Sequence, residues 1–266
     1  MKTQNAFVQN PVQVTAVILR DVAISVQILQ AANTLLGGYN RKVESIECAM
    51  VLLGQDKLRE ITHELFLSAA ITRKESWMQK MRAKSVRAAH IMSWLSQEIC
   101  LLSPHFKNGN LPAVPHDESY LVGLLHDCGK FVLLKRFADY SDLLSETANE
   151  RNQSLESVEA EQYQTTHALL GSLLCNAWQL PKPLVQLIES HHHQDVFAGR
   201  PISERKYVVL HALLLLTEWI EGDMSAWEWA QHQEYVQRFF ALDSNLFVPL
   251  RQKALEAIPA AALRVE

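Results

Sequence analysis

The chain has 266 residues, 48% apolar and 20% charged, with a formal net charge of −4. That length suits one large or two small domains with a substantial core, and the composition is that of an ordinary globular protein. No basic tract offers itself to phosphates, and the longest apolar run, 207–220, is broken by His211 and Glu218 short of the roughly 20 apolar residues a membrane span needs. We therefore expect neither nucleic acid nor a membrane as a partner.

Almost every segment has helical period. Residues 21–36 place apolar groups at helical spacing and stop at Gly37-Gly38, a natural C-terminal cap. Residues 43–53 repeat the device with Gly54, and Asp56 is placed to cap the helix beginning KLREITHEL. A long helix is expected from about Ser76 to Leu102. Residues 103–118 hold three prolines and a glycine and read as the clearest loop. Helices are then expected over 119–135, 137–152 and 155–178. Another opens at Pro181 and Pro183, where the missing N–H costs nothing, and runs to His191-His192-His193. Helices near 203–220, 224–241 and 244–258 complete an all-α chain. A soft boundary near residue 75 divides it into 1–75, an N-terminal helical subdomain; 76–222, a helical core; and 223–266, a C-terminal extension whose aromatics read as a helix pair packed on the core.

The four cysteines form no CxxC pair, and reduced thiols in a cytoplasmic protein are the expected reading. Cys128 abuts a His–Asp pair, which keeps open a ligand or redox role beside that of a core thiol.

Of eleven histidines, several fall inside or at the end of apolar helices: His90, His126 beside Asp127, His167, and His191 with His192. Imidazole and carboxylate suit zinc, iron or manganese. Each also has a plainer explanation. A lone core histidine such as His90 is more often a hydrogen-bonded structural residue, and a histidine run at a helix end offsets the dipole there. Joint occurrence in one order is what favours a site.

That order resembles the HD superfamily of metal-dependent phosphohydrolases, and within it the HDOD branch, the HD-related output domain of bacterial signalling proteins. The resemblance covers about residues 11 to 220. It rests on Asp21, Asn33, Ser45-Ile46, Ala49 and Leu53-Gly54; on Ala88-Ala89-His90; on Gly123-Leu-Leu-His-Asp-Cys-Gly-Lys130; and on 166–192, with His167, Gly171, Trp178-Gln-Leu-Pro181 and His191-His192. It implies an all-α bundle in which these residues meet around one or two divalent transition ions, iron, manganese, zinc or nickel, or in which that ion has been lost. Carried over by position, His126 and Asp127 match the signature pair and His90 resembles the upstream ligand. His167, His191 and His192 resemble the extra ligands of the HD-GYP branch, which hydrolyses cyclic di-GMP. Asp127 and Lys130 match catalytic positions, Lys130 being the cation that approaches a substrate phosphate.

The chain departs from the pattern twice. Where a final Ala-Asp is expected it reads Ala212-Leu213, with Glu218 one to two turns later and too far along to replace the carboxylate. After His191-His192 there is neither Glu-x-x-Asp-Gly nor Gly-Tyr-Pro, which speaks against cyclic di-GMP hydrolysis. The preferred expectation is therefore a stand-alone regulatory protein with a degenerate metal site, taking its signal from a protein partner. The alternative is a metal-dependent phosphohydrolase.

Overall fold

The computed structural model describes residues 22–36, 42–69, 76–146, 153–193 and 205–258, and every regular element among them is helical. In chain order these are α1 (Val22–Leu35), α2 (Ile46–Ala69), α3 (Ser76–Leu102), α4 (Pro104–Lys107), α5 (His116–Leu125), α6 (Cys128–Arg136), α7 (Tyr140–Ser145), α8 (Leu155–Tyr163), α9 (His167–Ala177), α10 (Lys182–Glu189), α11 (Arg205–Glu221), α12 (Ala226–Phe240) and α13 (Phe247–Ala257), the last preceded by a 3-10 turn at Ser244–Leu246.

The all-α expectation holds, and several boundaries move. The two helices expected on either side of Gly54 follow one another in the run α2 and break as expected where Gly54 leaves helical geometry, at φ 72° and ψ 169°. That run begins at Ile46 because residues 42–45 are not helical and the Ser45 hydroxyl accepts the Cys48 N–H at 3.1 Å. The Gly37-Gly38 cap and the Asp56 side chain lie outside what is described. The proline-rich loop contains a short helix opened by Pro104 and capped by Ser103. The helix expected over 155–178 is two. Gln164 turns left-handed at φ 53°, and the Thr166 hydroxyl caps a new helix by accepting the Leu169 N–H at 3.1 Å.

The break that matters most divides the helix expected over 119–135. α5 ends at Leu125 and α6 starts at Cys128, with His126 and Asp127 forming the joint. Two close backbone approaches hold it. A Cβ on Gly123 would lie 2.7 Å from the Ala88 carbonyl of α3, and one on Gly129 would lie 1.9 Å from the His167 carbonyl of α9. Glycine at both positions lets α5 lie against α3 and the start of α6 against the start of α9.

α3 is the central strut, buried through Ile91, Met92, Leu95 and Ile99 against α5, α11 and α13. α11 is apolar on nearly every side, as suits a helix with neighbours all round. One hydrophobic cluster runs from Val26 and Ile61 through these helices to Phe240 and Ile258. The C-terminal aromatics pack onto it: Trp219 stacks on Trp229 at 4.8 Å, and Phe247 meets both edge-on. All four cysteines are free thiols, with Cys128 and Cys175 buried and Cys48 exposed, contrary to its apolar setting in sequence. No helix among the described residues is long and apolar enough to cross a membrane.

Candidate metal centre

Four chain segments meet at the α5–α6 joint. The joint brings His126 and Asp127, the N-terminus of α9 brings His167, the turn after α10 brings His191 and His192, and α11 brings Glu218. All are buried except His192, whose side chain is 25% exposed and gives the cluster its contact with solvent. The ligand atoms of His167, His191 and His192 lie within 4.8 Å of one another.

The tautomers of three imidazoles follow from their neighbours. His126 Nδ1 donates to the Gly123 carbonyl at 2.8 Å, and His191 Nδ1 to the Ile188 carbonyl at 2.7 Å. His167 Nδ1 donates to the Glu159 carboxylate at 2.6 Å. Each ring thus turns its Nε2 inward, the arrangement that outer hydrogen bonds impose on metal-binding histidines. His167 Nε2 shares a hydrogen bond with His192 Nε2 at 2.9 Å, and the three inner nitrogens also face carboxylate oxygens. His126 Nε2 stands 3.5 Å from Asp127 Oδ2, His167 Nε2 stands 3.5 Å from Asp127 Oδ1, and His191 Nε2 stands 3.5 Å from Glu218 Oε1. Asp127 Oδ1, His191 Nε2 and Glu218 Oε2 are buried with no hydrogen-bond partner. Buried acceptors facing one another are costly unless a cation lies between them.

Charge follows the same geometry. Burial alone would raise the Asp127 carboxyl, but the Lys130 ammonium, bonded to Oδ2 at 2.7 Å, and then His126 and His167 hold it well below its ordinary value. Burial pushes His191 and His192 well down and His126 down, so these rings stay neutral and able to ligate. Burial, then Asp127 and Asp223, push the Glu218 carboxyl well up. Imidazole nitrogen and carboxylate oxygen in this mixture fit zinc, iron, manganese or nickel. The residues present thus fit the ion that the resemblance implies.

Of the positions singled out in sequence, His126, Asp127, Lys130, His167, His191 and His192 come together. His90 is half-buried on α3 with its ring edge-on to Tyr120 at 5.2 Å. Sequence reasoning missed three residues. Glu218 is not too far along, because His191 and His192 lie toward the C-terminal end of α11, where its carboxylate meets them. Its signal was a carboxylate inside the apolar run LLLLTEWI, seven residues after His211 and so on the same helix face. His211 itself donates from Nε2 to the His191 carbonyl at 3.1 Å. Glu159, fully buried, accepts from the Tyr140 hydroxyl at 2.5 Å and from the His167 N–H at 2.8 Å as well as from the His167 ring. Nothing in the polar stretch LESVEAEQY singled it out.

A family model described as HDOD domain matches residues 3–194. The chain belongs to the HDOD family. Among solved structures, an HDOD-like likeness of fold links it to the MmoQ response regulator from Methylococcus capsulatus str. Bath, with 20% identity, 88% of this chain and 86% of that one covered, and a TM-score of 0.57. A virulence factor from Campylobacter jejuni subsp. jejuni is similar in fold at 18% identity, covering 97% and 93% of the two chains with a TM-score of 0.58. A curated relative, an uncharacterized protein from Treponema pallidum (strain Nichols), is 23% identical over 180 residues. The HDOD chain described here spans 33% of that relative's length.

Proposed function

We propose that this HDOD chain is a regulatory protein whose buried histidine–carboxylate cluster holds a divalent transition-metal ion and turns nothing over. One observation carries the metal: His191 Nε2, turned inward by its Nδ1 hydrogen bond, stands 3.5 Å from a Glu218 oxygen, and this nitrogen, Asp127 Oδ1 and Glu218 Oε2 are all buried with no hydrogen-bond partner. Such a set has a purpose when a cation completes it.

Two features favour regulation over turnover. His126 and Asp127 are 2% exposed and His167 and His191 0%, so these four offer a phosphoester almost no surface to touch. Lys130, the cation expected to steady a substrate phosphate, is 5% exposed and bonded to Asp127. It acts as a countercharge inside the cluster. A bound ion would tie the joint between α5 and α6 to α9 and to the turn after α10, so its loading would set the relative placement of these elements. A protein partner reading that placement is the output this family's name implies. The same fold occurs in a response regulator.

A phosphohydrolase is the second reading, favoured by the partial exposure of His192, through which a metal-bound water would be reached. Metal analysis of protein purified without chelators separates the two. A stoichiometric transition metal, lost in His126→Ala, with no cleavage of bis(p-nitrophenyl) phosphate in added manganese or iron, is the expected result. Metal accompanied by hydrolysis that disappears in His126→Ala would establish the enzyme instead. Protein that takes up no metal overturns both.

A further inference from the structure

We infer that Glu218 is a metal ligand, the carboxylate that replaces the one missing at Leu213, supplied from a different face of the same helix. The inference rests on the metal reading above and goes beyond it by assigning the anionic ligand.

The placement comes first. Glu218 is 3% exposed. Oε1 lies 3.5 Å from His191 Nε2 and Oε2 lies 3.9 Å from His192 Nδ1. Ligand atoms bound to one zinc-like ion at about 2.0–2.2 Å stand about 3–3.5 Å from one another. The Glu218–His191 separation is that of two atoms sharing an ion. So is the 3.5 Å from Asp127 Oδ1 to His167 Nε2.

A plain structural role for Glu218 fares worse. A carboxylic acid donating to the His191 lone pair would close to under 3 Å, and 3.5 Å is too long for that bond. Glu218 Oε2 and His191 Nε2 are both buried without a hydrogen-bond partner. Nor is Glu218 there to neutralise a neighbouring cation. Lys84 pairs with Asp223, Arg87 with Glu221 at 3.0 Å, and Lys130 with Asp127 at 2.7 Å.

Charge accounting gives the reason the site needs it. Lys130 is bonded to Asp127, and Glu159 is turned to the outer nitrogen of His167, so Glu218 is the carboxylate that faces the inner nitrogens of the cluster without a cation bonded to it among the described residues. A buried divalent ion is disfavoured unless carboxylate charge stands against it. Glu218 supplies that charge. It is placed to do so because it lies seven residues after His211, on the face of α11 turned toward the His191 backbone.

The test uses the full chain and Co²⁺ as the probe, followed by its visible absorption and by competition with a chelator. Wild type should bind Co²⁺. Glu218→Gln, folded by circular dichroism, should bind at least about 100-fold more weakly with an altered spectrum, since losing a direct ligand should exceed the cost of losing an outer partner. Glu189→Gln, an exposed change at the end of α10, should leave both readouts unchanged. Wild-type affinity and spectrum in folded Glu218→Gln overturn the assignment of Glu218 alone. Absence of Co²⁺ uptake by wild type overturns the metal reading and this assignment together. Should Glu218→Gln not fold, a crystal of wild type grown with Zn²⁺ decides. A Glu218 oxygen at about 2.0–2.2 Å from the ion supports the inference, and one beyond about 3 Å overturns it.

Discussion

At the scale of single residues, the cluster is defined less by its candidate ligands than by the groups behind them. Glu159 is an acceptor for three donors, two of them on His167, and it fixes which nitrogen of that ring points inward. Burial would raise its carboxyl, but His167 and these hydrogen bonds keep it below the ordinary value. Glu159→Gln should weaken Zn²⁺ or Co²⁺ binding about 10- to 100-fold, measured by chelator competition, while the folded chain persists. Equal affinity in the variant would show that His167 needs no such orientation. His211 makes a different prediction. Burial, with repulsion from His232 and His193, lowers its imidazole from the ordinary 6.5 to about 4 although two backbone carbonyls favour the charged ring. The unfolded chain therefore binds a proton that the folded chain refuses between those two values. Stability from this group is full above pH 6.5 and is lost as pH falls toward about 4, by about 3 kcal/mol in total. Urea unfolding across that window should show a steeper loss for wild type than for His211→Gln, whose amide can still donate to the His191 carbonyl.

At the scale of elements, the site exists because two helices that look continuous in sequence are broken. Apolar period runs unbroken through residues 119–134, so periodicity alone joins α5 to α6. Only the approach of α9 explains the joint, since Gly129 and Gly171 lie where its first turns meet α6. Gly129→Ala should force α6 off α9, because its Cβ would sit 1.9 Å from a backbone carbonyl that has no flexible end to move aside. A loss at or above the upper end of about 1–3 kcal/mol is expected in urea unfolding, together with loss of metal binding. At Gly109, where φ is +73° and a Cβ meets nothing within 4 Å, alanine should cost only about 1 kcal/mol of backbone strain and leave the metal site intact. Similar effects at the two glycines would refute the packing account of the joint.

At the scale of the whole molecule, a bound ion would link segments that are far apart in sequence. His126 and Asp127, His167, His191 with His192, and Glu218 come from four stretches of the chain. An ion that binds only when they are assembled stabilises the fold by mass action, about 2.7 kcal/mol at a free concentration one hundred times Kd. In a chain of this size that should raise Tm by about 5–10 °C, and a chelator should reverse it. Unchanged Tm with a metal already shown to bind would mean that the unfolded chain, with its own histidines, binds the ion as well. The C-terminal helices α12 and α13 lie outside the matched family region, yet their aromatics complete the same hydrophobic cluster through Trp229, Phe240 and Phe247.

The sequence by itself determined the helical class, the extent of α1, α3, α11 and α12 to within a few residues, and the six polar residues that do assemble. Each of these is written locally, in hydrophobic period, in caps, and in the order of His126-Asp127, Lys130, His167 and His191-His192. Tertiary structure decided the rest. It turned the His90 ring edge-on to Tyr120, brought Glu159 behind His167, and turned Glu218 toward His191. Those outcomes depend on which turn of α3 faces α5, and on how far along α11 the end of α10 comes to rest. Such offsets are fixed by packing between elements, and a one-dimensional pattern carries no record of them.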